Sequence, residues 1–231
     1  MIKGILIDFG GTIDSDGIHW FDAFREAYAR VSASSAVHAV PDELLKDAYV
    51  HTERTLGRNT IITPDTTFYD TLKIKLFLQS EYLQSHETVI TDTAQDAILN
   101  YCYNNVVNHI ATVSIPVLER LSAKYPMVLV TNFYGNMHTV LEELGLSHLF
   151  KDVIESSVSG VRKPDPEIFR LGVKALGFEP SETLMIGDSQ EKDILPAQSI
   201  GCHTILLQGK SRSEVQCTPD HTVSTLQEIT F

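Results

Sequence analysis

Short apolar runs alternate with amphipathic stretches over much of this chain. The first run, Ile5 to Ile7, contains no polar residue, which favours a strand buried on both faces. Similar runs predict strands at 127–130, 153–154, 183–186 and 204–207, with a last short strand after a loop that begins at Lys210. Helices are predicted at 114–124, 136–146, 166–177 and 190–200. This alternation indicates a parallel sheet with helices on both faces.

The region between the first two predicted strands is helical. Apolar residues recur there every three or four positions, and no strand is predicted between residues 13 and 110. The predicted helices cover 17–34, 41–57, 68–83 and 94–102. We therefore expect an α/β protein with a three-layer, Rossmann-like core domain of parallel strands, formed by 1–14 and 110–231. A helical cap domain, 15–109, would be inserted after the first strand.

Composition narrows the possible classes of function. The chain has 231 residues, 43% of them hydrophobic, and no apolar run approaches the roughly 20 residues that span a bilayer. The net charge of −12 opposes binding to nucleic acid or to an anionic membrane, and an anionic ligand would need a local cation or metal ion. The three cysteines form no pairing motif, and no signal peptide is recognisable. We expect a soluble cytoplasmic protein.

Polar residues follow several of the predicted strands. They are Asp8 and Thr12 after the first strand, Thr131 and Asn132 after the second, Lys163 in a later loop, and Asp188, Ser189 and Asp193 after the fourth. Gly10 and Gly11, between Asp8 and Thr12, favour a sharp turn that lets a ligand approach the backbone. Taken singly, Asp8 could end a strand at a turn, Asp188 could cap a helix, and Lys163 could be an exposed loop charge. Because the carboxyl ends of parallel strands share one edge of a sheet, their joint occurrence favours a common site.

In this order, the segments resemble the motifs of the haloacid dehalogenase superfamily of hydrolases. They are Asp-Phe-Gly-Gly-Thr at 8–12, Val-Leu-Val-Thr-Asn at 128–132, Val-Arg-Lys-Pro-Asp-Pro-Glu-Ile-Phe at 161–169 and Met-Ile-Gly-Asp-Ser-Gln-Glu-Lys-Asp-Ile at 185–194. The helical insertion lies where that family often carries a cap. Each motif alone is weak, but four of them in sequence order are a strong signal.

The resemblance implies a reaction and a metal ion. Asp8 would attack phosphorus and become an aspartyl-phosphate. Mg²⁺, a hard ion that prefers oxygen ligands, would be held by Asp8, Asp188 and the backbone carbonyl of Gly10. Lys163 and Thr131 would stabilise the phosphoryl oxygens during the reaction.

Further residues of the same motifs are expected close to the substrate. The resemblance implies substrate-binding roles for Gly11, Thr12 and Asn132. Asp193, together with Ser189, is expected behind the metal ligands, where Asp193 would orient a metal-bound water or the motif lysine. The substrate would be a small phosphorylated metabolite.

One position departs from the family pattern. Phosphatases of this family usually carry a second Asp two residues after the nucleophile, where this chain has Gly10. That carboxyl protonates the leaving group and then activates water, and such a group contributes about 10²–10⁴ in rate. A different carboxylate could serve in its place: Asp14 and Asp16 are near in sequence, and the predicted cap offers Asp22 and other carboxylates.

The glycine is also compatible with chemistry that needs no such acid. Relatives that cleave carbon–phosphorus bonds have a small residue at this position and use a cap lysine as a Schiff base, so Lys46, Lys73 and Lys75 are candidates. Solvated helix faces are the preferred interpretation of these lysines. Alternatively, the chain keeps a phosphate or metal site without turnover. Haloacid dehalogenases proper are less attractive, because their reaction needs no Mg²⁺.

These observations favour a Mg²⁺-dependent hydrolase of that superfamily, a phosphatase that acts on a small phosphorylated metabolite. The cap is expected to close over the site through hinges near 13–17 and 108–112. Substrate selectivity would lie in cap side chains, so the sequence by itself determines neither the substrate nor the oligomeric state.

Overall fold

A parallel sheet of six strands forms the centre of the structure. The computed structural model describes residues 1–34, 39–209 and 217–230. The strands are β1 (Gly4–Ile7), β2 (Met127–Thr131), β3 (Asp152–Glu155), β4 (Thr183–Gly187), β5 (His203–Leu207) and β6 (His221–Val223). Their order across the sheet is β3-β2-β1-β4-β5-β6, and every neighbouring pair is parallel. All the predicted strands are present, whereas residues 210–216, where the predicted loop begins, lie outside the described residues.

Helices connect the strands and form the inserted region. Between β1 and β2 they are α1 (Trp20–Ser34), α2 (Asp42–Arg58), α3 (Phe68–Ser85), α4 (Asp92–His109) and α5 (Ile115–Ser122). After β2 they are α6 (Met137–Glu143), α7 (Ser156–Ser159), α8 (Pro166–Leu176) and α9 (Leu195–Ser199). The helix predicted at 190–200 is divided into a π-helical turn, Gln190–Ile194, and α9. Among the described helices, none combines the length and the apolar character needed to cross a membrane.

Apolar side chains on both faces of the sheet hold the three layers together. Leu6, Val128 and Met185 pack on one face with buried residues of α8 and α9. Ile5 and Leu129 belong to a larger core on the other face, which continues into α5, α6 and the helices α1 to α4. All of β1 is buried, because it lies between β2 and β4. The predicted three-layer α/β fold is confirmed.

The inserted helices α1 to α4 pack on one another. Helix α2 contacts α3, and α4 contacts both α1 and α3. Thr67 and Thr91 cap α3 and α4, since their side chains accept hydrogen bonds from the backbone N–H groups of Asp70 and Ala94. Such caps satisfy backbone groups that have no partner within the helix.

The two segments that connect these helices to the sheet lie side by side. The Ser114 hydroxyl donates a hydrogen bond of 2.6 Å to the Ile13 carbonyl, and both residues are fully buried. The chain passes from α4 to α5 through a π-helical turn, Ile110–Ser114, without an intervening loop. We propose that residues 15–109 form a cap domain, and that the two connecting segments, near Ile13 and Ser114, are its hinges.

Candidate active site

Four of the predicted site residues meet at the carboxyl edge of the sheet. Asp8 follows β1, Thr131 ends β2 and Asp188 follows β4, and these three strands are neighbours. Lys163 reaches the same point from the loop before α8. These residues line one cavity of about 460 Å³, a volume typical of small-molecule sites.

Lys163 is a buried cation between two carboxylates. Its Nζ lies 2.7 Å from Asp8 Oδ1 and 2.7 Å from Asp193 Oδ1, and its side chain is only 2% exposed. Burial alone would lower the pKa of Lys163, but the charges of Asp193 and Asp8 outweigh it and raise that pKa above its ordinary value. The ammonium therefore stays charged and can neutralise an anionic ligand.

Asn132 holds the loop that carries this lysine. Its Oδ1 accepts a hydrogen bond of 2.9 Å from the Lys163 backbone N–H, and its Nδ2 donates one of 3.1 Å to the Lys163 carbonyl. Both ends of the amide therefore hold the loop of Lys163, and Asn132 also lines the cavity. Its substrate-binding role stays a prediction.

Three carboxylates cluster beside Lys163. Ligand oxygens of Asp8, Asp188 and Asp193 all lie within 4.8 Å of one another. Burial raises the pKa of Asp8 to about 7, against the opposing charge of Lys163. Burial also raises the pKa of Asp188, and the charges of Asp193 and Asp8 add to this rise. A bound cation would relieve this repulsion.

The donors of this cluster fit Mg²⁺. Carboxylate and carbonyl oxygens are the hard ligands that this ion prefers. A Cβ at Gly11 would clash with the Asp188 carboxylate, so a glycine there lets the carboxylate lie against the loop after β1. Gly10 lines the same cavity, which supports its carbonyl as a third ligand. Asp8, Asp188 and this carbonyl would hold the ion.

Asp193 is fully engaged by protein groups. Its Oδ1 contacts Lys163, and its Oδ2 accepts a hydrogen bond of 3.1 Å from the Ser189 backbone N–H. Ser189 Oγ in turn accepts from the Lys192 N–H and closes the turn after β4. A Cβ at Gly187 would lie 2.6 Å from the Asp193 side chain, so a glycine is required there. This supports the hypothesis that Asp193 orients the lysine.

Gly11 and Thr12, in the loop after β1, differ in their access to the cavity. Thr12 is fully buried, and its hydroxyl has no hydrogen-bond partner among the described residues and does not line the cavity. Gly11 lines the cavity, but its N–H donates a hydrogen bond of 2.7 Å to Asp14 Oδ1. The substrate-binding roles of Gly11 and Thr12 stay predictions, and of the two only Gly11 lines the cavity.

Asp14 organises this loop and is not part of the cavity wall. Its carboxylate also accepts hydrogen bonds from the Ser15 hydroxyl at 2.7 Å and from the Trp20 indole N–H at 2.6 Å. Burial raises the pKa of Asp14 to about 6. Asp14, Asp16 and Asp22, which were candidates for the missing acid, do not line the cavity, whereas Glu53 of the inserted helix α2 does.

An ion pair between two inserted helices lines the side of the cavity opposite the strand ends named above. Lys75 of α3 lines the cavity, and its Nζ lies 2.8 Å from Oε1 of Glu53 on α2. The Tyr134 hydroxyl donates a hydrogen bond of 2.6 Å to Glu53 Oε2. The ammonium also lies 5.1 Å from the centre of the Tyr134 ring and 5.8 Å from the centre of the Trp20 ring, within the range of cation–π attraction.

The burial of Lys75 overturns one expectation. Lys46 and Lys73 are exposed as expected, but the Lys75 side chain is only 8% exposed. A signal was present in the sequence, because Lys75 lies three positions after Leu72 and one before Leu76, on the stripe that α3 buries. Its position on the helix, rather than its charge, indicated burial.

Comparison with known proteins agrees with this architecture. The sheet defines an α/β protein with a candidate site at the carboxyl ends of its parallel strands. The sequence profile of the haloacid dehalogenase-like hydrolases matches residues 2–201, and the chain belongs to this hydrolase family. The resemblance drawn from the four motifs is confirmed.

Individual relatives match over different lengths. A stretch of 91 residues is 40% identical to glyceraldehyde 3-phosphate phosphatase of Methanocaldococcus jannaschii, covering 38% of this chain and 40% of that protein. A HAD phosphatase from Thermococcus onnurineus superposes with a TM-score of 0.57 at 21% identity, covering 98% of this chain and 95% of that chain. A 2-haloacid dehalogenase from Pseudomonas syringae pv. Tomato DC3000 superposes with a TM-score of 0.53 at 20% identity, covering 98% of this chain and 96% of that chain. At such identities the likeness concerns the fold, which phosphatases and dehalogenases share.

Proposed function

We propose that this chain is a phosphatase that hydrolyses monoesters of small phosphorylated metabolites through an aspartyl-phosphate on Asp8. The observation that carries this proposal is the 2.7 Å contact of Asp8 with Lys163, beside Asp188 at a cavity of about 460 Å³. A nucleophile, a fixed cation and a set of metal ligands are thereby combined at one point. The curated relatives named as glyceraldehyde 3-phosphate and phosphoserine phosphatases support the same class of substrate.

Each charged group would have its own task. Asp8 attacks phosphorus with a carboxylate oxygen, which divides one difficult displacement into two easier steps. Lys163, held in place by Asp193, donates to the phosphoryl oxygens and offsets the negative charge that develops there. The Thr131 hydroxyl, at the end of β2, is a further donor. When bound, Mg²⁺ would neutralise charge shared by the phosphoryl group and the carboxylates.

Protonation of the leaving group lacks a dedicated residue. Gly10 stands where the family usually has its acid, and Asp14, Asp16 and Asp22 do not line the cavity. Glu53 does line it, but against the effect of burial the charge of Lys75 lowers the pKa of Glu53, so this carboxyl is ionised and has no proton to donate. Esters whose leaving group is already stable as an anion need little protonation. We therefore propose that aryl phosphates are hydrolysed faster than alkyl phosphates.

The charge of Lys75 argues against the alternative of a carbon–phosphorus hydrolase. A Schiff base requires a neutral amine. Burial alone would lower the pKa of Lys75, but the Glu53 carboxylate outweighs it and raises that pKa above its ordinary value. Borohydride reduction in the presence of a phosphonoaldehyde should leave the mass of the protein unchanged, whereas an adduct on Lys75 would favour the alternative.

Phosphate release from an activated aryl phosphate, with and without Mg²⁺, tests the proposal. We expect Mg²⁺-dependent turnover by the unmodified chain and a loss on the order of 10³-fold or more in Asp8→Asn, because the nucleophile is removed. Thermal unfolding followed by circular dichroism checks that the variant folds. Undiminished turnover in Asp8→Asn would remove Asp8 as nucleophile. No turnover of any phosphate ester by the unmodified chain would favour a binding role without catalysis.

The cysteines bear on the cellular compartment. Cys102, Cys202 and Cys217 are buried free thiols. Because unpaired thiols are usual in reducing compartments, we also propose a cytoplasmic location.

A further inference from the structure

We propose that Lys75 and Glu53 select a leaving group that carries hydroxyl groups, so that the substrate is the phosphate ester of a polyol or sugar. This inference rests on the proposed phosphatase function. It concerns the cap side of the cavity, which lies outside the four family motifs.

The pair is held rigidly at the cavity wall. Lys75 and Glu53 come from adjacent helices, α3 and α2, and Tyr134 from the core holds the second oxygen of the Glu53 carboxylate. The rings of Tyr134 and Trp20 flank the ammonium. An ammonium carries three N–H donors, and one ion pair with a carboxylate does not use them all. A ligand in the cavity can therefore bind here without displacing Glu53.

The charge of the cavity favours a neutral leaving group. Among the described residues that line it, five are Asp or Glu and four are Lys or Arg. These residues carry one net negative charge, which one divalent cation would change to one net positive charge. The phosphate monoester group, with a charge of about −1.5 to −2, already offsets that positive charge. A second anionic group would add negative charge beside buried carboxylates. A leaving group without net charge avoids that cost.

A hydroxyl group matches an ammonium–carboxylate pair better than a charged group does. Its oxygen can accept from a Lys75 N–H while its hydrogen donates to Glu53, so the ion pair is bridged and not broken. A carboxylate only accepts and would compete with Glu53, and a zwitterion would have to separate the pair. Trp20 and Tyr49 line the neighbouring wall and can cover a carbon skeleton. Together these features favour a hydroxylated alcohol.

Steady-state kinetics on matched phosphate esters test this inference. Glycerol 3-phosphate and glucose 6-phosphate carry hydroxyls, propyl phosphate carries none, 3-phosphoglycerate adds a carboxylate, and phosphoserine adds a zwitterion. We expect kcat/KM for the two polyol esters to exceed that for propyl phosphate by roughly 10- to 100-fold, the effect of a hydrogen bond to a charged group. Preference for 3-phosphoglycerate or phosphoserine over glycerol 3-phosphate would overturn the inference.

Variants test the pair itself. Lys75→Met leaves Glu53 without its partner, so Glu53→Gln/Lys75→Met is made as well, because it leaves no unpaired buried charge and should keep the fold. In both, the preference for glycerol 3-phosphate over propyl phosphate should fall about 10-fold or more. Lys73→Met, which changes an exposed lysine on the same helix, should leave the preference unchanged.

The outcomes separate this inference from the proposed function. An unchanged preference in the folded double variant, with Asp8-dependent hydrolysis intact, would overturn the role of Lys75 and Glu53 alone. Failure of the unmodified chain to hydrolyse any phosphate ester in an Asp8-dependent manner would overturn both.

Discussion

At the scale of single residues, Gly10 leaves free space two positions after Asp8. Gly10 has φ of −74° and ψ of 122°, values that any residue can adopt. A Cβ added to Gly10 would meet only Trp20 Cδ1, at 4.0 Å, among the described residues. A side chain with a carboxyl group can therefore be added here without backbone strain.

Gly10→Asp should raise the rate on alkyl phosphates. The new carboxyl would supply the missing proton donor, a group worth about 10²–10⁴ in rate, and we expect at least a 10-fold rise in kcat. Turnover of an alkyl and an aryl phosphate is measured for each variant, and the rise should be larger for the alkyl ester. Gly10→Asn is the matched control, since it adds similar bulk without an acid. A loss of rate with Gly10→Asp would favour carbon–phosphorus chemistry or a binding role, neither of which needs the acid.

At the scale of elements, α3 matters because it carries Lys75. Glu143 of α6 holds the N-terminus of α3. Its carboxylate accepts hydrogen bonds from the backbone N–H groups of Phe68 and Tyr69 and from the Tyr103 hydroxyl. A negative charge at a helix N-terminus is also favoured by the helix dipole. One carboxylate of the core therefore ties together the starting turn of α3 and a residue of α4.

Glu143→Ala should destabilise the protein. Removing the carboxylate leaves these donors without their partner, and we expect the free energy of unfolding to fall by about 1–3 kcal/mol. Denaturant titration measures the change. Glu142→Ala, at the exposed neighbouring position, should change stability by less than about 0.5 kcal/mol. Equal effects of the two substitutions would show that the contact contributes nothing to stability.

At the scale of the whole molecule, the buried acids link stability to pH. Burial raises the pKa of Asp8 to about 7 and that of Asp14 to about 6, from an ordinary value of 3.8. A carboxyl whose pKa is raised by folding keeps its proton in the folded state at a pH where the unfolded chain has lost it. Its contribution to stability is therefore lost as the pH rises from about 4 to about 7.

The metal-free protein should thus melt at a higher temperature at pH 5.5 than at pH 8, by about 3 °C or more. Mg²⁺ should raise Tm more at pH 8 than at pH 5.5, because the ion binds the ionised carboxylates. Differential scanning fluorimetry with EDTA or with Mg²⁺ measures both effects. Asp8→Asn should reduce both the difference in Tm between the two pH values and the rise in Tm caused by Mg²⁺. A higher Tm at pH 8 in EDTA would contradict the expectation.

The sequence by itself determined the sheet, the helical insertion and the core of the candidate site. Apolar runs and helical stripes are local patterns, so β1, β2 and β4 could be recognised without any partner. Asp8, Thr131 and Asp188 come directly at the ends of these strands, and parallel pairing brings such positions to one edge. Their convergence was therefore predictable.

Only the tertiary structure decided what the remaining residues contact. Lys75 is a buried cavity residue because Glu53 of α2 pairs with its ammonium and Tyr134, from the loop after β2, holds Glu53. Asn132 holds the loop of Lys163 because its amide meets that loop 31 residues further along the chain. Such pairings depend on how distant segments are brought together. A local pattern carries no information about the partner that finally satisfies a buried charge or amide.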